Sequence, residues 1–160
     1  MTTRTLLLFA LDGVLVEPGG ARRLPGAAEA LVKIRHSGDA VLSLLTREAE
    51  DDARRKTEET VSGMSRYLDL DVGAYGPDAT PSDARRLAVG AYDCAFTVLA
   101  VTGPAPGEVT RVRAGADTVV AVAPQAQAGA LRAAGADHVL SGLDELPEVL
   151  TSARTNAEPR

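Results

Sequence analysis

Short apolar runs alternate with amphipathic or strongly polar segments along almost the whole chain. Runs of this kind are typical of strands buried on both faces of a parallel sheet. We predict strands at residues 5–9, 40–45, 71–75, 96–101, 118–123 and 138–140. Because helices separate them, the pattern predicts an α/β fold, a doubly wound (Rossmann-like) parallel sheet of about five or six strands with helices on both faces.

The intervening segments carry helix signals. Leu24-Pro25-Gly26 begins a helix that ends at Ser37-Gly38, and further helices begin near Ser82 and Glu108. Residues 47–60 form a polar helix in which acids stand four residues before bases, the favourable order for ion pairs on a helix surface. The expected pairs are Glu50/Arg54, Asp51/Arg55 and Asp52/Lys56, and Val61, Met64 and Leu68 form a weak apolar stripe after them. The junctions RAGAD (113–117) and RAAGAD (132–137) each end a helix with glycine and start a strand.

Length and composition set the scale of the protein. A chain of 160 residues, 45% of them apolar, holds one core, so we expect a single domain over residues 1–150 and a flexible C-terminal tail at 151–160. The formal charge of −5 comes from acids and bases mixed along the chain, which leaves no concentrated basic face for nucleic acid.

The expected setting is a reducing cytoplasm. Cys94 is the only cysteine, which excludes an intramolecular disulfide, and residues 1–4 lead into a strand without a signal-peptide layout. The apolar runs are shorter than a membrane span, so no membrane partner is expected. The excess of arginine over lysine and the abundance of alanine suggest a bacterial source with a GC-rich genome.

Candidate site residues stand at the ends of the predicted strands. In open α/β sheets, ligands bind outside the carboxyl ends of the strands, where the strand order reverses. Asp12, Thr46, Asp78 and the loop 102–108 follow predicted strands. We therefore expect them to converge.

The segment LLLFALDGVL, residues 6–15, resembles the first motif of the haloacid dehalogenase (HAD) phosphatase superfamily, an apolar run ending in Phe-Asp-x-Asp-Gly-Thr/Val-Leu. Ala10 stands where the resemblance places the aspartate nucleophile, and its methyl group offers no lone pair to attack phosphorus. Asp12 stands at the family's acid/base position and Gly13 follows it. The resemblance thus implies the fold of this family, but the chain lacks the family's nucleophile.

Other segments extend the resemblance to residues 5–150. VLSLLTRE is similar to the second motif, in which the hydroxyl here supplied by Thr46 binds a phosphoryl oxygen; Gly13 is the other phosphate contact implied. YLDLDVGAYGPD and AGADHVLSGLDELPEVL are similar to segments of phosphoglycolate-phosphatase-like members. The implied architecture is a HAD-like core.

The remaining motifs depart from the family pattern. In VLAVTGPAPGEV, Pro104 replaces the first aspartate of the metal-binding motif, and Glu108 stands where the second would fall. Mg²⁺ is the cofactor implied by the resemblance, but with only Asp12 and Glu108 as remaining ligands we expect its binding to be weak or absent. No lysine lies at the third motif, because Lys33 and Lys56 fall in other predicted helices. Arg85 or Arg86 is the candidate to replace this lysine in phosphate binding; the alternative is that both are ordinary exposed charges on a helix.

The caps that usually close the family's site are also missing, since the connections 17–26 and 76–83 are loop-sized. We expect a capless HAD-like protein, impaired as a phosphatase, that binds a phosphorylated small molecule or a protein partner. One alternative is a hydrolase of altered mechanism with Asp12 or Glu108 as acid/base. Another is a structural subunit, such as a homo-oligomer whose open face is an interface.

Overall fold

Strands and helices alternate throughout residues 3–17, 22–36, 38, 40–60 and 65–150, which the computed structural model describes. The strands are β1 Thr3–Phe9, β2 Ala40–Thr46, β3 Ala74–Tyr75, β4 Ala95–Thr102, β5 Thr118–Val122 and β6 His138–Leu140. The helices are α1 Ala27–His36, α2 Glu50–Thr60, α3 Pro81–Tyr92, α4 Pro106–Arg113 and α5 Ala128–Ala134. Most of the predicted elements are present, with ends that coincide or are shifted by up to three residues.

The six strands of the described ranges form one parallel sheet in the order β3-β2-β1-β4-β5-β6. Strand β1 is central: Thr5 is opposite Ala40 of β2, and Thr3 is opposite Ala95 of β4. The order of strands reverses between β1 and β4, which is the switch point of a doubly wound sheet. The predicted α/β fold is confirmed.

The sheet lies between two apolar layers because alternate side chains of a strand point to opposite faces. Leu7 and Phe9 of β1 belong to the core that includes Leu31 of α1. Leu6 and Leu8 belong to the opposite core, with α3 and α4. All four β1 side chains are fully buried, which is why β1 is apolar without interruption.

The predicted strand at 71–75 is too long. Only Ala74–Tyr75 pairs with β2, and Leu70–Val72 forms a 3₁₀ turn. The Asp69 carboxylate accepts a hydrogen bond from the Asp71 N–H at 3.2 Å, and a side chain that satisfies the backbone locally favours a turn over a strand. Leu68 is buried, whereas Val61 and Met64 lie outside the described residues.

Two helices begin earlier than predicted because the residues before them supply the start signals. Thr80 caps α3 and forms a reciprocal capping box with Asp83, so the helix begins at Pro81, one residue before Ser82. Pro106 occupies the first turn of α4, two residues before the predicted start at Glu108.

The two similar junctions, residues 113–117 and 132–137, make the same kind of side-chain hydrogen bond. Asp117 accepts from the Val98 N–H, and Asp137 accepts from the Val119 N–H, each at 2.8 Å. Each aspartate thus ties the residue before a strand to the neighbouring strand. The predicted flexible tail 151–160 lies outside the described residues, and within those residues no helix is long and apolar enough to cross a membrane.

Candidate functional site

A cleft of about 270 Å³ opens at the carboxyl ends of the central strands, at the switch point between β1 and β4. It is lined by residues from four separate segments of the chain. They are Ala10, Asp12, Leu45, Thr46, Arg47, Glu48, Thr102, Gly103, Pro104, Ala105, Glu108 and Arg111. The predicted convergence of Asp12, Thr46 and the loop 102–108 is therefore observed, but Asp78 is exposed and does not line the cleft.

Ala10 and Pro104 both line this cleft. The Ala10 N–H donates to the Val101 carbonyl at 2.9 Å, so the backbone after β1 still follows β4. Gly13 has a φ of +83°, and a Cβ atom built there would lie 3.5 Å from Pro104 Cδ. Gly13 therefore packs beside Pro104 and is not among the lining residues, while its positive φ favours glycine.

Thr46 ends β2 at the cleft with its residue 9% exposed. Its hydroxyl oxygen accepts a hydrogen bond from the Glu48 N–H at 3.2 Å. The same hydroxyl retains a proton that can be donated to an anion in the cleft. This is the position that the resemblance assigned to phosphate binding.

Arg47 and Arg111 bring positive charge to the cleft and are bridged by one carboxylate. Glu108 Oε1 lies 3.1 Å from an Arg47 nitrogen, and Glu108 Oε2 lies 3.0 Å from an Arg111 nitrogen. Arg111 also donates to the Ala79 carbonyl, which fixes its guanidinium against the loop after β3. Both oxygens of Glu108 are thus engaged by arginine.

Lys56 reaches the same edge from α2. Ala53 and Thr57 bury one side of this helix, and Lys56, adjacent to that side, has a side chain only 20% exposed. Its ammonium lies 3.3 Å from Asp12 Oδ1 and donates to Glu48 Oε1. Burial lowers the pKa of Lys56, but the hydrogen bonds and charges of Glu48 and Asp12 outweigh it, so the pKa is raised above its ordinary value.

The ion pairs on α2 differ in part from the predicted set. Glu50 and Arg54 pair at 2.8 Å as predicted. Arg55, however, pairs with Asp52 at 3.1 Å in place of the predicted Asp51. Lys56 contacts the carboxylates of Asp12 and Glu48 at the strand ends in place of the predicted Asp52.

Arg85 and Arg86 lie on the exposed side of α3, and neither lines the cleft. Arg86 pairs with Asp83 at 3.1 Å, with its side chain 77% exposed. These two arginines therefore match the alternative of ordinary helix charges. Arg47, Arg111 and, behind Asp12, Lys56 supply the positive charge instead.

The residues at this edge do not fit the Mg²⁺ that the resemblance implies. Mg²⁺ requires oxygen ligands in octahedral geometry, of which a protein typically supplies one or two carboxylates. Ala10 and Pro104 supply no side-chain oxygen, Asp12 is paired with Lys56, and Glu108 with two arginines. Within the described ranges, no three histidine, cysteine or acidic side chains are grouped to hold a metal.

Comparison with solved structures places this architecture in a known class. The chain has the fold of the HAD phosphatases. It resembles a putative β-phosphoglucomutase from Bacteroides vulgatus with a TM-score of 0.66 and 14% identity, covering 98% of this chain and 91% of the other. A HAD family hydrolase from Deinococcus radiodurans R1, solved with bound phosphate and sodium, gives 0.60 and 20% identity, over 83% of this chain and 61% of that one.

A third similar structure is the cobalt-bound deoxy-D-mannose-octulosonate 8-phosphate phosphatase from Haemophilus influenzae. Its TM-score is 0.58 at 16% identity, over 96% of this chain and 88% of the other. No protein-family model and no curated protein sequence matches the chain. At these identities the likeness establishes the HAD fold.

Four charged residues of the cleft region were missed in the sequence: Arg47, Glu48, Lys56 and Arg111. Arg47 and Glu48 directly follow the strand that ends at Thr46, so their position after a strand was a usable signal. Arg111 stands three residues after Glu108, the spacing of a helix ion pair. Lys56 carried no such signal, because Asp12 lies 44 positions away in the chain.

Proposed function

We propose that this protein binds a phosphate monoester in the cleft at the β1/β4 switch point and does not hydrolyse it through a phospho-aspartate. The observation that carries the proposal is the lining itself. Ala10 and Pro104 stand where the HAD reaction needs carboxylates, while Thr46 and two arginines, Arg47 and Arg111, remain at the same opening. The carboxylates that the family's reaction requires are absent at these two positions, whereas groups able to bind an anion line the cleft.

The chemistry of these groups suits a phosphoryl oxygen. A guanidinium offers a rigid fork of N–H donors that matches phosphate, and the threonine hydroxyl adds a neutral donor. The cleft volume of about 270 Å³ is at the lower limit for small-molecule sites, so a small ester or the phosphate end of a larger one is favoured.

A hydrolase of altered mechanism is less well supported. A general acid or base must reach a proton on the substrate or on water. Glu108 has both carboxylate oxygens held by arginines, and Asp12 is paired with Lys56. A protein partner or a second copy at the open face remains a proposal that no contact in the described chain favours.

The test is a titration of the full chain with inorganic phosphate, followed by amide NMR shifts, beside a turnover assay with a general phosphate ester. We expect saturable shifts at Thr46 and Arg47 and no turnover above background. Thr46→Val should weaken phosphate binding about three- to ten-fold through loss of one hydrogen bond.

Thr97→Val is the matched control, because Thr97 is an exposed threonine of β4 remote from the lining residues; it should bind as the wild type. Absence of saturable shifts up to tens of millimolar phosphate, or ester hydrolysis that Asp12→Asn abolishes, would contradict the proposal.

A further inference from the structure

The acidic groups at the cleft are already compensated by basic groups of the same chain. Asp12, Glu48 and Glu108 are the lining acids. Their partners in ion pairs are Lys56 for the first two and Arg47 and Arg111 for the third. Among the described residues, these ion pairs therefore join three acidic side chains to three basic ones.

Lys56 differs from the arginines because it joins two carboxylates from different segments. Asp12 follows β1 and Glu48 follows β2, and one ammonium on α2 contacts an oxygen of each. A single cation thus bridges two carboxylates that line the cleft, which is an arrangement that a bound divalent ion can also provide.

The fold supports this arrangement. The Lys56 side chain is 20% exposed and that of Glu48 30%, so both charges are partly withdrawn from water. The second carboxylate oxygen of Glu48 is buried and has no hydrogen-bond partner among the described residues. A partly buried carboxylate with no cation beside it would be costly, and Lys56 supplies that cation.

We propose that the Lys56 ammonium, held between Asp12 and Glu48, replaces the divalent cation of this site, so that the cleft binds a phosphate monoester without metal. Removing the Lys56 ammonium would leave the neighbouring carboxylates of Asp12 and Glu48 without the cation that lies between them. Hard divalent cations prefer such oxygen ligands, and anions are repelled by them. Loss of Lys56 should therefore weaken phosphate binding and strengthen the binding of a divalent cation.

The chain offers a matched pair of variants, because Lys33 and Lys56 are its only lysines. Lys33 is exposed on α1 and does not line the cleft. Lys56→Met and Lys33→Met each remove one positive charge and keep the aliphatic stem. Any difference between them therefore reports the position of the charge, not the change in net charge.

The first measurement is Mn²⁺ binding to the full chain, followed by water-proton relaxation. Lys56→Met should bind Mn²⁺ at least about ten-fold more tightly than either the wild type or Lys33→Met, because only it exposes both carboxylates. Equal Mn²⁺ affinity in all three proteins would overturn the inference. Tight one-to-one Mn²⁺ binding to the wild type would also overturn the inference, because the ammonium would then not take the place of the metal, and this measurement needs no variant.

The second measurement is phosphate affinity in excess EDTA and in Mg²⁺. The wild type should give the same affinity in both, and Lys56→Met should bind phosphate about ten-fold more weakly in EDTA. Wild-type binding that EDTA abolishes would overturn the inference. This arm rests on the proposed phosphate-binding function, whereas the Mn²⁺ arm does not, so failure of one is distinguishable from failure of the other.

Discussion

Asp137 stabilises the sheet chiefly through one backbone contact, and its removal should be measurable. Its carboxylate accepts the Val119 N–H at 2.8 Å, and Val119 is fully buried. It also pairs with Arg113, but those side chains are 38% and 42% exposed. A buried N–H left without an acceptor costs about 1–3 kcal/mol, whereas an exposed ion pair contributes less than about 1 kcal/mol.

Asp137→Ala should therefore lower the free energy of unfolding by about 1–3 kcal/mol, mainly because the Val119 N–H loses its hydrogen-bond acceptor. For a chain of this size each kcal/mol corresponds to roughly 2–4 °C in Tm. Asp137→Asn should recover most of the loss, because the amide oxygen still accepts. Urea unfolding followed by circular dichroism measures both variants.

Asp51→Ala is the control, since Asp51 is an exposed acid on α2; it should change stability by no more than about 0.5 kcal/mol. If Asp137→Asn is as unstable as Asp137→Ala, the ion pair with Arg113 is the more important contact, and the backbone hydrogen bond does not carry the stability. The same pair of substitutions at Asp117, which accepts from the buried Val98 N–H, should give a similar result.

Two further predictions concern the cleft and the alkaline limit of stability. Glu108→Gln should tighten inorganic phosphate binding roughly ten-fold by releasing Arg47 and Arg111, with the exposed Glu29→Gln as control in the same NMR titration; unchanged or weaker affinity would contradict it. Burial raises the pKa of Tyr75 to about 12, so the fold favours the neutral phenol. The neutral phenol contributes about 2 kcal/mol to the free energy of unfolding after allowing for partial exposure. This contribution is present below pH 10 and is lost as the pH rises from 10 to 12. Tyr75→Phe should flatten that fall in urea unfolding, and an unchanged slope would show that Tyr75 does not cause it.

The fold was predictable because its signals are local. An apolar run such as 5–9 identifies a strand buried on both faces, and the helices between such runs require a parallel sheet. The strand predicted at 71–75 was too long because the side-chain contact from Asp69 to the Asp71 N–H favours a turn. Short polar residues compete with strand pairing in a way that hydrophobic pattern does not record.

The site was predictable only where its residues follow strands. Thr46 ends β2 and Pro104 follows β4, and this position at the strand ends predicts that they meet at one edge of the sheet. Helix spacing predicts a surface pair of Lys56 with Asp52, because it considers only neighbours on the same helix. Its contacts with Asp12 and Glu48 depend on how α2 lies across the strand ends, which is a property of packing.

The paired charges at the cleft also determine how a ligand can arrive. Equal numbers of acids and bases create little long-range field, so electrostatic steering should do little to speed the encounter with an anion. A phosphate that contacts Arg47 and Arg111 must take the place of Glu108 as their partner. Binding at this edge is then an exchange of one anion for another. Glu108 competes with the ligand for the two arginines, so a phosphate binds only if it interacts with them more strongly than Glu108 does.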